Sequence, residues 1–411
     1  MVSVHGRYEI RVVREEVDRW RIMTKPDFEL NPAELGERLK VARETAAMTQ
    51  DAAAKAVGFA RTTLVAIEKG QRSARLDEIQ MLSRCYGVSA NSLLRREAVH
   101  VDLVPRFRSL PDTGDAGIDQ AARMLNDLVR AEVELENILG VRKTSNYPTE
   151  KSILPGDVRK QAEHDAHSLR SWLGLGESPI QNLFSLIEMQ LGIRVYSRRL
   201  ESKVSGLFAY DDAVGACMLI NAVHRKDRQT QTGAHELGHF IATRRQPEIY
   251  QAEKYENSRE ERYANAFGSA FLTPARTVME KFKEVTIGST HLTRRHIILL
   301  ASFFGISRQA MVMRLEELDL TKKGTWDWFM DNGGITDDQA QQVLGTISHD
   351  STSMEGAQST RLFLLAIDAW KKDLISEGQM SDLLKLDRAK VRELLDEAEE
   401  DEVDDLFKLS H

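Results

Sequence analysis

The chain has 411 residues, 42% of them hydrophobic and 29% charged, with a formal net charge of −7. That length exceeds one ordinary core and implies about two to four domains, while an acidic total confines any nucleic-acid surface to a local patch. Cys85 and Cys217 stand far apart, which excludes a disulfide framework or a cysteine zinc ribbon. No apolar run reaches the roughly eighteen residues of a membrane helix, and the opening MVSVHGRYEIRVV lacks a signal-peptide core. A cytoplasmic protein without a membrane partner is therefore expected.

Residues 1–30 alternate weakly at Tyr8, Ile10 and Val12 and are read as an N-terminal extension. From Asn31 the pattern becomes helical. Pro32 marks a start, and Leu35, Leu39 and Ala42 share one face. Thr49 is placed to cap an Ala-rich helix that ends at Gly58, and ARTTLVAIEKG repeats the arrangement up to Gly70. Two more amphipathic segments follow, so residues 31–97 form a domain of five short helices.

In a helix-turn-helix the first residues of the second helix meet base edges in the major groove. Here Gln50 opens the supporting helix, and Arg61, Thr62 and Thr63 lie on the exposed early turns of the next. Lys69, Gln71 and Arg72 suit phosphates, which fix register without reading sequence. Residues 33–96 hold eleven Lys or Arg against seven Asp or Glu, a positive segment inside a negative chain. The competing interpretation is a small helical protein-interaction domain. The stretch LGERLKVARETAAMTQDAAAKAVGFARTTLVAIEKGQR, with YGVSANSLL after it, resembles the XRE-type, lambda-repressor-like regulators from Leu35 to Leu94. The resemblance implies binding to operator DNA, usually as a homodimer, with Gln50, Arg61, Thr62 and Thr63 as base readers.

Residues 98–150 read as a linker and a long connecting helix, about 118–139. Leu125, Leu128, Leu135 and Leu139 make a seam that Glu132 interrupts. Packing on neighbours is preferred to a dimeric coiled coil. A new domain, 151–290, opens with helices near 156–174 and 181–191, then a strand IRVYSR and a hairpin-like GLFAYDDAVGACMLIN.

TGAHELGHF, residues 232–240, then places His235 and His239 four apart, so a helix projects both from one face. Two such imidazoles can share Zn²⁺, and Glu236 is placed as general base on a water that zinc acidifies. Gly238 allows close packing beneath the metal. Zinc with two histidines wants a carboxylate from another element. The next apolar helix, with Ala264, Phe267 and Phe271 on its buried face, offers Glu261 on that side and Glu260 as the alternate.

The segments SLRSWLGLGESPIQNLFSLIEMQLGIRVY, LIN, TGAHELGHF and ERYANAFGSAFLTP together resemble the ImmA/IrrE metallo-endopeptidases over about residues 156–275. The resemblance implies a zincin-like fold, zinc on His235, His239 and Glu261, and Glu236 as catalytic base. It also makes the strand ending at MLIN the edge that would pair with an extended peptide. Family members often carry Arg-Phe where this chain has Thr230 and Gln231, a departure that touches helix packing rather than the metal.

Cys217 lies in that strand, as a buried structural thiol or a thiolate within reach of the metal. His224 and Tyr210 are near enough in sequence to serve an oxyanion, without anything that selects them. His291 and His296 are expected to be ordinary helix-start residues. Residues 291–325 form a second helix-turn-helix-like subdomain, Ala301 to Leu315 carrying the resemblance, or a packing unit. Residues 326–411 are a helical region with an acidic tail, DEAEEDEVDD.

The fold class expected is multidomain, mainly α with a small mixed sheet. The function expected is a DNA-binding regulator whose zinc peptidase cleaves a partner repressor or antitoxin, or its own segment around 98–117. The resemblance places such cleavage in stress, DNA-damage or mobile-element responses. The alternatives are a repressor or antitoxin that uses the zincin fold as a sensor or toxin-binding module, and a ligand-responsive metabolic regulator.

Overall fold

A computed structural model of the chain describes residues 31–88, 90–94, 103, 116–245, 248–251, 258–345 and 360–403. The N-terminal extension, most of the segment around 98–117 and the last residues of the acidic tail lie outside these. The chain divides into two compact units, Met1–Ala98 and Val99–His411. Among the described residues no single helix is long and apolar enough to cross a membrane.

The first unit contains α1 (Pro32–Thr45), α2 (Gln50–Ala56), α3 (Arg61–Glu68), α4 (Leu76–Tyr86) and α5 (Ala90–Leu94). Asn31 accepts a hydrogen bond from Ala33 N at 3.0 Å, and Thr49 caps α2 by accepting from Ala52 N at 3.2 Å. Gly58, Gly70 and Gly87 follow helix ends with positive φ, which only glycine takes without strain. Leu39, Leu64, Ile67 and Leu82 are fully buried and form the core with Leu35 and Ala42.

The second unit begins with α6 (Ala116–Leu139) and α7 (Val158–Trp172), followed by a short α8 (Leu183–Leu186) that widens into a π turn over Ile187–Leu191. Next come β1 (Arg194–Arg198), β2 (Val204–Asp211), β3 (Gly215–Asn221), α9 (Lys226–Ala242), β4 (Glu248–Gln251) and α10 (Arg259–Leu272). The remainder is helical: α11 (Ala275–Val285), α12 (Arg294–Phe304), α13 (Arg308–Glu317), α14 (Thr325–Asp331), α15 (Asp337–Leu344), α16 (Thr360–Lys371), α17 (Glu377–Leu384) and α18 (Arg388–Val403).

The strands form one mixed sheet in the order β1-β3-β2-β4, parallel between β1 and β3 and antiparallel elsewhere. Its pleat separates two cores. Val195, Phe208, Ala216, Met218 and Ile220 face α7, α9 and α10, whereas Tyr196, Leu207, Ala209, Cys217 and Leu219 face α6, α16 and α17. Helices therefore cover both faces of the sheet, the arrangement that lets β1, β2 and β3 be largely buried.

One expectation is corrected here, and of the two readings of Cys217 the buried structural thiol is the one the fold supports. The strand ending at MLIN is β3, which lies between β1 and β2, so it offers no edge to an extended peptide. Its Cys217 points to the face opposite α9, so the thiol belongs to the far core and does not reach the imidazoles. Burial pushes that thiol up to about 12.

The long helix α6 packs on the sheet. Glu132 interrupts its leucine seam for a reason the sheet supplies. Arg194 of β1 bonds Glu132 and pairs with Glu136 at 2.9 Å, the Tyr196 hydroxyl donates to Glu132 at 2.7 Å, and Arg361 of α16 reaches Glu136 at 2.9 Å. Glu132 is fully buried, and such a charge persists only when it is paired and hydrogen-bonded. Helices α12 and α13 bury Ile297, Leu300, Phe304, Met311, Val312 and Leu315 in the same core as α9. Thr293 N donates to His296 Nδ1 at 3.2 Å, so His296 closes the start of α12.

Candidate metal centre and nucleic-acid interface

Helices α9 and α10 carry the metal-ligand candidates, and small residues set their approach. A side chain on Gly238 would place its Cβ 2.8 Å from Ala264 Cα, and one on Gly268 would come 3.1 Å from His235 N. Glycine at both crossings lets the helices touch backbone to backbone, which brings the His235–His239 face against the first turn of α10. Ser258 fixes that turn by accepting from Glu261 N at 3.0 Å.

Within it, Glu261 is the carboxylate beside the imidazoles. Its Oε2 lies 3.3 Å from His235 Nε2 and its Oε1 3.3 Å from His239 Nε2. The three groups offer ligand atoms that all lie within 4.8 Å of one another. Glu260, the alternate, is not in this group, among the described residues. Glu236 is fully buried, and its Oε1 approaches strand β2 at Gly206.

The hydrogen bonds behind the imidazoles fix their tautomers. Asn265, one turn beyond Glu261, presents its carbonyl Oδ1 to His235 Nδ1 at 2.9 Å. Thr243 presents Oγ1 to His239 Nδ1 at 3.2 Å while donating to His239 O at 3.3 Å. Oxygen acceptors at both Nδ1 positions favour the tautomer with Nδ1–H, in which Nε2 of each ring carries the lone pair. Those two Nε2 atoms lie 3.0 Å apart, with the Glu261 carboxylate beside both. Two lone pairs and a carboxylate converging in this way repel one another in the absence of a cation and suit one that takes nitrogen and oxygen ligands.

The electrostatics agree with this. Burial, followed by repulsion from His239, pushes His235 down to about 3, so it stays neutral and available as a ligand. Burial opposes charge on Glu261, but its interactions with His239 and His235 outweigh it and hold the carboxyl below its ordinary range. Asn265 and Thr243 were not singled out from the sequence. Their signal was positional, since each stands four residues after a ligand candidate on the same helix face.

His224 Nε2 lies 3.0 Å from Ser202 O, a contact outside the metal-ligand group. Tyr210 packs edge-on against Tyr147, with the Arg245 guanidinium over its ring. Neither contact involves the metal-ligand group. The departure at Thr230 and Gln231 leaves α9 continuous from Lys226 to Ala242.

In the first unit, Arg61, Thr62 and Lys69 are exposed and Thr63 is half-buried on the opening and closing turns around α3. Arg61 has only a loose pairing with Asp51, at 3.7 Å between largely exposed side chains. Gln50 is tied inward. Its Nε2 donates to Glu68 at 2.8 Å, and Glu68 in turn holds Arg43 at 2.6 Å. Arg72 is also engaged, with two bonds to Glu78 at 2.7 and 3.1 Å. The side chains presented without such commitments are Thr62, Thr63 and Lys69, with Arg61 close to that state.

Comparison with known proteins agrees with this layout. The chain matches the helix-turn-helix domain family over residues 34–95 and the IrrE N-terminal-like domain of peptidase family M78 over residues 188–316. No curated protein matches it. The crystal structure of ComR from Streptococcus suis aligns over 91% of this chain and 96% of that one, at 12% identity and a TM-score of 0.16.

Proposed function

We propose, from a chain that joins an XRE-like helix-turn-helix domain to an ImmA/IrrE-type metallopeptidase domain, that this protein is a DNA-binding regulator with a zinc-dependent endopeptidase activity. Its target is a specific regulatory protein, either a partner repressor or antitoxin or the chain itself. The observation that carries the peptidase reading is the convergence of His235 Nε2 and His239 Nε2, 3.0 Å apart, on the Glu261 carboxylate, 3.3 Å from each.

His235, His239 and Glu261 would hold the zinc. The bound ion would supply a Lewis acid for a peptide carbonyl and lower the pKa of a water. Glu236 accepts the proton of the attacking water as the new C–O bond forms. The same carboxylate then returns the proton to the amide nitrogen as the C–N bond breaks. Its position next to His235 on α9 and its complete burial keep that carboxylate in a low-dielectric setting, where proton transfer is not in competition with bulk water.

In the first unit, Arg61, Thr62 and Thr63 would read base edges, and Lys69 would meet phosphate. Gln50 would need to exchange Glu68 for a base, and Arg72 would need to exchange Glu78 for a phosphate. The expected partner is operator DNA, bound by a homodimer, within a cytoplasmic stress, DNA-damage or mobile-element response.

One observation favours a second reading. His235, His239, Glu236 and Glu261 are all at most 8% exposed, a closed setting that also suits a sensor or toxin-binding module in which the metal is structural. The test is to incubate purified, zinc-loaded full chain with co-encoded partner proteins and to follow fragments by mass spectrometry. Discrete cleavage by the wild type and none by Glu236→Gln supports the peptidase. Intact partners and intact chain with both proteins, while DNA binding persists, would leave the sensor reading.

A further inference from the structure

We infer that Gly206 of β2 is a positioning residue for Glu236, since it keeps open the space into which that carboxylate projects. This rests on the peptidase reading for its consequence, but the geometry stands without it. Pleat alternation puts Gly206 on the α9 side of the sheet, with Phe208, while Leu207 faces the other core. A Cβ on Gly206 would lie 2.7 Å from Thr232 Cγ2, 3.2 Å from Glu236 Oε1 and 3.3 Å from Leu219 O.

Glycine is not needed here for its backbone freedom. Gly206 is absent from the positive-φ positions of the chain, so an alanine could adopt its conformation. What the position requires is room. The register of β2 against β4 shifts between Val204 and Gly206, next to the same spot.

The neighbours cannot give way freely. Thr232 is nearly buried, and its hydroxyl donates to Arg228 O at 3.0 Å, which holds the β-branched side chain in one rotamer with Cγ2 toward the strand. A methyl group on Gly206 must therefore push α9 away or turn the Glu236 carboxylate. Gly238 and Gly268 differ, because a side chain there would meet backbone of the partner helix and endanger the fold itself. At Gly206 the two nearest atoms are side-chain ends, Thr232 Cγ2 and then Oε1 of Glu236, the side chain assigned the proton transfer.

The test uses the zinc-loaded full chain and acetohydroxamic acid, a small metal ligand whose hydroxyl can bond a neighbouring carboxylate. Its affinity is measured by calorimetry for the wild type, Glu236→Gln, Gly206→Ala and the double variant Gly206→Ala/Thr232→Ser. Loss of a charge-assisted hydrogen bond predicts about tenfold or weaker binding in Glu236→Gln. Gly206→Ala is expected to weaken it to a similar extent, with zinc affinity unchanged. In the double variant the 2.7 Å clash is gone, so folding is secured while the 3.2 Å contact with Glu236 remains, and the hydroxamate loss should persist. Wild-type affinity in the folded double variant, or no effect of Glu236→Gln itself, overturns the inference. Peptide turnover is followed in parallel. If the wild type cleaves nothing while the hydroxamate series behaves as expected, the peptidase reading falls and the positioning role of Gly206 stands.

Discussion

Replacing Thr243 by valine should weaken zinc binding more than removing Asn265, although Asn265 makes the shorter bond. Both side chains face Nδ1 of a candidate ligand imidazole with an oxygen, at 3.2 Å for Thr243 and 2.9 Å for Asn265. Their surroundings differ. Asn265 is exposed, so in Asn265→Ala a water can take over the acceptor role, and the expected loss is a few-fold, below the roughly 10–100-fold seen when such outer partners are removed. Thr243 is 8% exposed and His239 1%, so no water replaces the hydroxyl. In Thr243→Val the imidazole either keeps a buried Nδ1–H without its acceptor, at about 1–3 kcal/mol, or shifts its proton to Nε2 and loses the lone pair aimed at the metal. Either way about 1.4–2.7 kcal/mol is removed from the metal-ready state, a 10–100-fold rise in zinc Kd. A competitive titration against a chromophoric chelator measures it, with circular dichroism to verify folding. Equal Kd values for Thr243→Val and wild type, or a larger loss in Asn265→Ala, would refute the assignment of tautomers on which the metal reading rests.

Three further outcomes follow from the same geometry. Arg194→Met leaves Glu132 buried without its main counter-charge and should lower stability by about 3–5 kcal/mol, seen as a lower thermal midpoint of the Val99–His411 unit; an unchanged midpoint would mean the network is not closed to water. Burial opposes charge on Glu136, yet hydrogen bonding from Arg194 holds its carboxyl below the ordinary 4.5, so its contribution to stability is present above that pH and lost as pH falls through the lower folded value; pH-dependent melting below 4.5 checks the sign. For DNA, Lys69→Ala should weaken binding to all sequences alike and reduce the salt slope by about one, whereas Arg61→Ala should also relax sequence preference; fluorescence anisotropy with specific and scrambled duplexes separates the two.

Much of this was legible in the sequence because the informative patterns are local. Helix starts at Asn31 and Thr49, the spacing of His235 and His239, and the apolar face that puts Glu261 inward all fall within one or two turns of chain. Strand order is not local. The parallel pairing of β1 with β3 places β3 inside the sheet, and nothing in GACMLIN distinguishes an interior strand from an edge. Glu132 did carry a signal, since a carboxylate in a leucine seam requires a partner, but the arginine that answers it stands 62 residues away on another element. The helices α16 and α17 likewise showed an apolar face without showing that the face covers the back of the sheet. Gly206 was invisible for a different reason, because a missing side chain matters only through what would have stood in its place.

The central claim is that His235, His239 and Glu261 form a metal centre. Elemental analysis of the freshly purified full chain tests it most directly, compared with His239→Ala and Glu261→Gln. The account predicts about one zinc per wild-type chain and a small fraction of that in either variant, since two of three protein ligands do not hold the ion against dialysis. A wild-type chain without zinc that also fails to bind it on addition, or variants that retain the wild-type stoichiometry, would contradict it.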